Sequence, residues 1–126
     1  MAKEFRISLA NRPGQLARLA EDLGHRGVNI LAVAGFGTAK PVMALVVDQE
    51  DKAREALKNL RLKFREVELL AATILHRPGE LGVLARKMAN AKINIQSVYL
   101  LEGSGGEVKV AFTAGDPDKA KRTLGL

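Results

Sequence analysis

Two short stretches carry the residues best suited to chemistry, and each is a version of the other. Asn11-Arg12-Pro13-Gly14-Gln15-Leu16 returns as His76-Arg77-Pro78-Gly79-Glu80-Leu81, 65 positions on. In each, a Pro-Gly turn stands where a helix should begin. The first turn of a helix presents unsatisfied backbone N–H groups and a partial positive charge, which suit a carboxylate. Gly14 and Gly79 place no side chain in the way of an approaching ligand. Asn11, and Asn29 further along, offer amide oxygens to an ammonium group and amide N–H groups to a carboxylate. Together these meet the needs of a free α-amino acid. The more ordinary use of the same residues is structural, with Asn11 capping the helix and Asn29 making a turn. In the second copy the loop residue is His76, whose cationic form would attract a carboxylate and repel an ammonium. Either the two sites differ in ligand or only one of them works, unless His76 is simply a loop histidine in water.

The repeat extends beyond these loops. The same offset carries Val28-Asn29-Ile30 onto Ile93-Asn94-Ile95, and Met43, Leu45 and Val47 onto Val108, Val110 and Phe112. It also carries Asp51 onto Asp116, so the chain reads as an ungapped tandem duplication. Phe5, Ile7 and Leu9 alternate with Glu4, Arg6 and Ser8, which predicts a half-buried strand over 4–10. Pro13 suits a first helical turn. Leu16, Leu19, Ala20 and Leu23 recur at helical spacing, predicting an amphipathic helix over 14–26 that Gly27 ends. His25, at that helix end, suits the dipole and reads as structural. Strands over 28–35 and 41–48 form a hairpin through the glycines at 35–37. Asp51 is expected to cap a helix to about 60, and a strand follows over 63–68.

The second unit repeats the pattern with a strand over 70–75 and a helix over 79–91 (Leu81, Leu84, Ala85 and Met88 inward). Strands over 93–101 and 107–113 and a last helix from Asp116 complete it. The fold expected is α+β: two ferredoxin-like βαββαβ units in tandem, 1–68 and 69–126, each an antiparallel sheet with helices on one face. The second unit is read without its last strand. That leaves strand 70–75 with an open edge, which another strand should cover, from the other unit or another subunit.

Composition narrows the function. There is no cysteine, hence no disulfide framework and no thiolate site, which fits a reducing cytoplasm. The first residues carry no apolar run, and no segment approaches the ~18 apolar residues of a membrane span. The net charge of +6 divides evenly: 12 basic against 9 acidic residues in 1–68, and 8 against 5 in 69–126. With no basic block and no interleaved aromatics, nucleic-acid binding rests on charge alone. The glycines at 35–37 and 103–106 lie inside hairpins and read as turns rather than phosphate loops. Two unrelated histidines without clustered carboxylates offer no metal site. No base-activated nucleophile can be assembled, so neither an enzyme nor a cofactor is expected.

Asn-Arg-Pro-Gly-x-Leu followed by about a dozen helical residues and Gly-Val-Asn-Ile resembles the ACT domain, an amino-acid-sensing regulatory module. The similarity is to the regulatory domain of bacterial 3-phosphoglycerate dehydrogenases, and covers nearly the whole chain as two copies. The resemblance implies domains paired side by side into an eight-stranded sheet, with an amino-acid effector at the interface. It assigns the ligand contacts to Asn11, Arg12, Pro13, Gly14 and Asn29, and to His76, Arg77, Pro78, Gly79 and Asn94 in the second copy. The dehydrogenases' further ligand, a histidine two residues before the first asparagine, is Leu9 here and Ile74 in the second copy, which puts serine specificity in doubt. The function implied is non-catalytic regulation by a small effector in a homo-oligomer, a dimer in its simplest form. An alternative is a detached regulatory subunit that contacts a biosynthetic enzyme, as the small subunit of acetolactate synthase does. A basic nucleic-acid-binding module is a further alternative.

Overall fold

The computed structural model describes residues 2–126. The chain divides into two compact units, Ala2–Val67 and Glu68–Leu126. The first holds β1 (Lys3–Ser8), α1 (Gln15–His25), β2 (Ile30–Phe36), β3 (Val42–Val47), α2 (Glu50–Asn59) and β4 (Lys63–Glu68, its last residue past the division). Its sheet is antiparallel along β1–β3 and β2–β3, in the order β2-β3-β1-β4. The second unit holds β5 (Leu70–Leu75), α3 (Glu80–Asn90), β6 (Ile95–Leu100), β7 (Glu107–Ala114) and α4 (Pro117–Leu124), with strand order β5-β7-β6. This is the tandem ferredoxin-like arrangement expected, the second unit having three strands.

Alternation and helical spacing generate the cores. Phe5, Ile7 and Leu9 from β1 and its end, and Met43, Leu45 and Val47 from β3, meet Leu19 and Leu23 of α1 and Ala53, Ala56 and Leu57 of α2. Apolar surface of this kind contributes about 25 cal/mol per Å² removed from water. The opposite face of β1 is less solvated than its alternation suggests. Glu4 is fully buried, and Arg6 Nε donates to its Oε2 at 2.8 Å. On the outside of the first unit Arg54 donates to both carboxylate oxygens of Glu66 (Nε to Oε2 at 2.8 Å, Nη2 to Oε1 at 2.6 Å) and to Asp51 at 2.8 Å. The hydrogen bond from Arg54 holds the Glu66 carboxyl below its ordinary range.

All four described helices end alike, α4 at Gly125. After α1, Val28 N–H donates to Leu23 O and Gly27 N–H to Gly24 O, with Gly27 at φ 74°. This is the doubly bonded glycine stop of a Schellman motif. Arg61 after α2 (φ 57°) and Lys92 after α3 (φ 60°) take the same left-handed position without being glycine. Helix starts depart from expectation. Gly14, not Pro13, is the N-cap of α1, at φ 88°, so Pro13 lies in the turn ahead of the helix. Helix α2 begins at Glu50 after Gln49, placing Asp51 in the first turn rather than at the cap. Asp116 does cap α4, accepting from Lys119 N–H at 3.1 Å, with Pro117 first in the helix.

The duplication also has a gap. Val33 pairs with Leu45 in the first sheet, whereas Val98 pairs with Phe112 in the second. Likewise Phe5 faces Leu45 and Leu70 faces Phe112. Leu45 therefore corresponds to Phe112 rather than Val110, and Gln49 rather than Asp51 to Asp116. The β6–β7 connection, 101–106, is one residue longer than the 37–41 connection of the first unit, and β7 is longer than β3.

The fourth strand marks the other difference. In the first unit Leu60, Leu62 and Phe64 pack on the core, and the space between the end of β1, α1 and Leu62 is only about 10 Å³. The corresponding space in the second unit, between β5, α3, Leu124 and Leu126, is an open groove of about 340 Å³. Among the described residues β5 pairs with β7 alone, so no strand of the same chain covers its other edge. No described helix is long and apolar enough to cross a membrane.

Candidate functional site

The loop from β1 to α1 has the same shape in both units. Arg12 N–H donates to Ala10 O and Gln15 N–H to Arg12 O; Arg77 N–H donates to Leu75 O and Glu80 N–H to Arg77 O. Gly14 and Gly79 share φ 88°. Glycine is required there by the left-handed backbone, which other residues adopt only at a cost. A Cβ at either position would meet nothing within 4 Å, so space is not the constraint.

Asn11 does not cap α1, which has no side-chain cap. Its amide instead lies against Gly37 in the turn after β2, where an added Cβ would sit 2.7 Å from Nδ2. Gly37 is thus what lets the amide settle over the hairpin. Beside it is a cleft of about 330 Å³. Asn11, Arg12 and Gln15 form its polar side, and Leu9, Leu16, Val33, Phe36, Val42 and Met43 its apolar side. Leu16 was expected inward with Leu19, yet it is 53% exposed, and Phe36 is 77% exposed. Both are cleft residues that periodicity alone did not single out. Leu81 departs in the same way at 43%.

The second unit has a cleft of about 390 Å³ at the matching place, lined by His76, Leu100, Leu101, Ser104, Val108 and the hairpin glycines Gly103 and Gly106. His76 N–H donates to Gly106 O at 2.8 Å, tying this loop to the longer hairpin. Arg77 is turned to its own helix, Nε donating to Glu80 Oε1 at 2.7 Å. Pro13, Gly14, Pro78 and Gly79 shape the two loops without lining the clefts.

Asn29 and Asn94 are not at these clefts. Asn29 N–H donates to Asp48 Oδ1 at 2.8 Å, at the far end of β2 from Gly35–Phe36. Asn94 holds the matching place, its carbonyl accepting from Gly115 N–H. Some six strand residues, roughly 20 Å, separate Asn29 from the Asn11 loop. Within one unit the two asparagines cannot touch one ligand, and the single constellation expected from spacing is not assembled there. Both lie on the same side of the sheet order, along β2, which is an edge strand.

No family model and no curated protein matches the sequence. Solved structures do. A Bacteroides thetaiotaomicron protein superposes with a TM-score of 0.88 at 22% identity, over 98% of this chain and 86% of that one. The ligand-free regulatory subunit of aspartate kinase from Thermus thermophilus gives 0.67 at 19% identity, over 98% and 89%. The regulatory subunit of aspartate kinase from Thermus flavus gives 0.68 at 17%, over 98% and 90%. At these identities the likeness establishes the fold: the chain has the tandem ACT fold.

Proposed function

We propose that this protein is a non-catalytic regulatory module of the cytoplasm that binds a free amino acid where two ACT-fold units pair. The observation that carries the reading is the position of the two asparagines at opposite ends of an open edge strand. When such an edge pairs antiparallel with the same edge of another unit, each end of one strand meets the other end of its partner. Asn11 and the cleft of one unit then stand beside the Asn29 of the other, and the separation within a unit becomes a shared site between units. Leu31 and Val33, about half exposed on β2, supply apolar surface for that pairing. The aspartate kinase subunits of the same fold are regulatory by name, which supports regulation as the role. A ligand that touches both units favours the paired state, so occupancy couples to assembly.

A second reading, a subunit that reports to a biosynthetic enzyme, is favoured by the groove and free edge of β5. Thermal unfolding against the twenty free amino acids at millimolar concentration tests the first reading. A ligand at a hundred times its Kd should add about 2.7 kcal/mol, several degrees in Tm. The shift should vanish in Asn11→Ala and in Asn29→Ala. No shift with any amino acid would reject the sensor in favour of the subunit.

A further inference from the structure

Resting on that reading and deepening it, we infer that the two clefts are unequal. The first takes the carboxylate of an amino acid with an apolar side chain on Arg12, and the second has no arginine to offer one, because Arg77 is held by Glu80 and does not line it. Arg12 and Arg77 hold equivalent positions in loops with the same backbone hydrogen bonds. Three residues on, the first unit has Gln15 and the second Glu80. Arg77 is bound to Glu80 at 2.7 Å, and the Glu80 side chain is only 21% exposed. Arg12 lines its cleft beside Asn11 and Gln15, and its side chain has no ion pair or hydrogen bond with any described residue.

An arginine without a carboxylate partner at the mouth of an apolar cleft is set to receive one from outside, since charge-assisted N–H···O bonds are the stronger kind. Gln15 can add an amide donor or acceptor but cannot neutralise the guanidinium. In the second unit an incoming carboxylate would meet Glu80 across the same cation, and like charges at that range disfavour it. The rest of the first cleft defines the ligand's body. Leu16, Val33, Phe36 and Met43 line it, and among the described residues Arg12 is its one cation, so one carboxylate and an apolar side chain are matched. A second acidic group would find no partner there.

The test is isothermal titration of the full chain with L-leucine, L-methionine and L-phenylalanine, and with L-aspartate as the two-carboxylate comparison. At least one apolar amino acid should bind at one per chain and aspartate more weakly. Gln15→Glu should supply Arg12 with an internal partner and weaken that binding about tenfold or more, as should Arg12→Ala, the loss of one charged hydrogen bond. Glu80→Gln should free Arg77 and raise the stoichiometry above one. Two equal sites in the unaltered chain, or undiminished affinity in folded Gln15→Glu and Arg12→Ala, would overturn the inference while leaving the amino-acid reading standing. Failure of all three apolar amino acids to bind would overturn the inference, and no shift with any of the twenty in thermal unfolding would overturn both.

Discussion

Arg12 and Arg77 have the same backbone and different fates because of one neighbour each. The Arg77–Glu80 spacing of three residues is a helical contact distance, and it is readable in the sequence once the loop is known to run straight into the first turn. Gly14 and Gly79 were legible as special, though for access rather than for their left-handed φ. Leu16 was not legible as a cleft residue, nor Leu81 as an exposed one. Both fall on the apolar stripe of their helices, and only the Arg-Pro-Gly turn ahead of them leaves that first turn uncovered. Lys92 offers a test at this scale. It holds at φ 60° the position that Gly27 fills in the first unit. A left-handed non-glycine residue costs about 1–2 kcal/mol, part of which the extra freedom of glycine in the unfolded chain offsets. Lys92→Gly should therefore stabilise the chain by about 0.5–1 kcal/mol in urea unfolding. A loss of stability would mean that Lys92 makes a contact worth more than its strain.

At the scale of elements, every strand and helix was legible from alternation, helical spacing and the Gly27 stop. The two-residue gap was not. Val108, Val110 and Phe112 are all apolar and alternate, so a slip of two keeps every side chain on its face and leaves no trace in the pattern. The register against β5 and β6 alone reveals it. The missing fourth strand was legible, and its consequence is physical: Leu62 fills in one unit what stays open in the other. Amides of β5 that do not point at β7 should exchange with solvent faster than those of β1, which has a strand on each side. Hydrogen exchange of the purified chain measures this directly. Uniform protection of Leu70–Leu75 would show that another subunit covers the edge in solution.

For the whole molecule, the repeat announced two units, and the resemblance in their loops announced the ACT fold. What could not be read was that Asn11 and Asn29 lie at opposite ends of one strand. Sequence spacing places both near a helix, but the helix runs the length of the sheet and delivers them to its two ends. That separation is why the proposed site needs two units, and why binding and assembly should be one equilibrium. The most direct measurement is a map of backbone amide shifts on titration with the amino acid that raises Tm. The expected map has two patches on the first unit, one over residues 9–16 and 35–43 and the other at Asn29 and Asp48, moving together at one concentration of ligand. Changes confined to one end of β2 would contradict a shared site, and changes confined to the β5 groove would place binding elsewhere altogether.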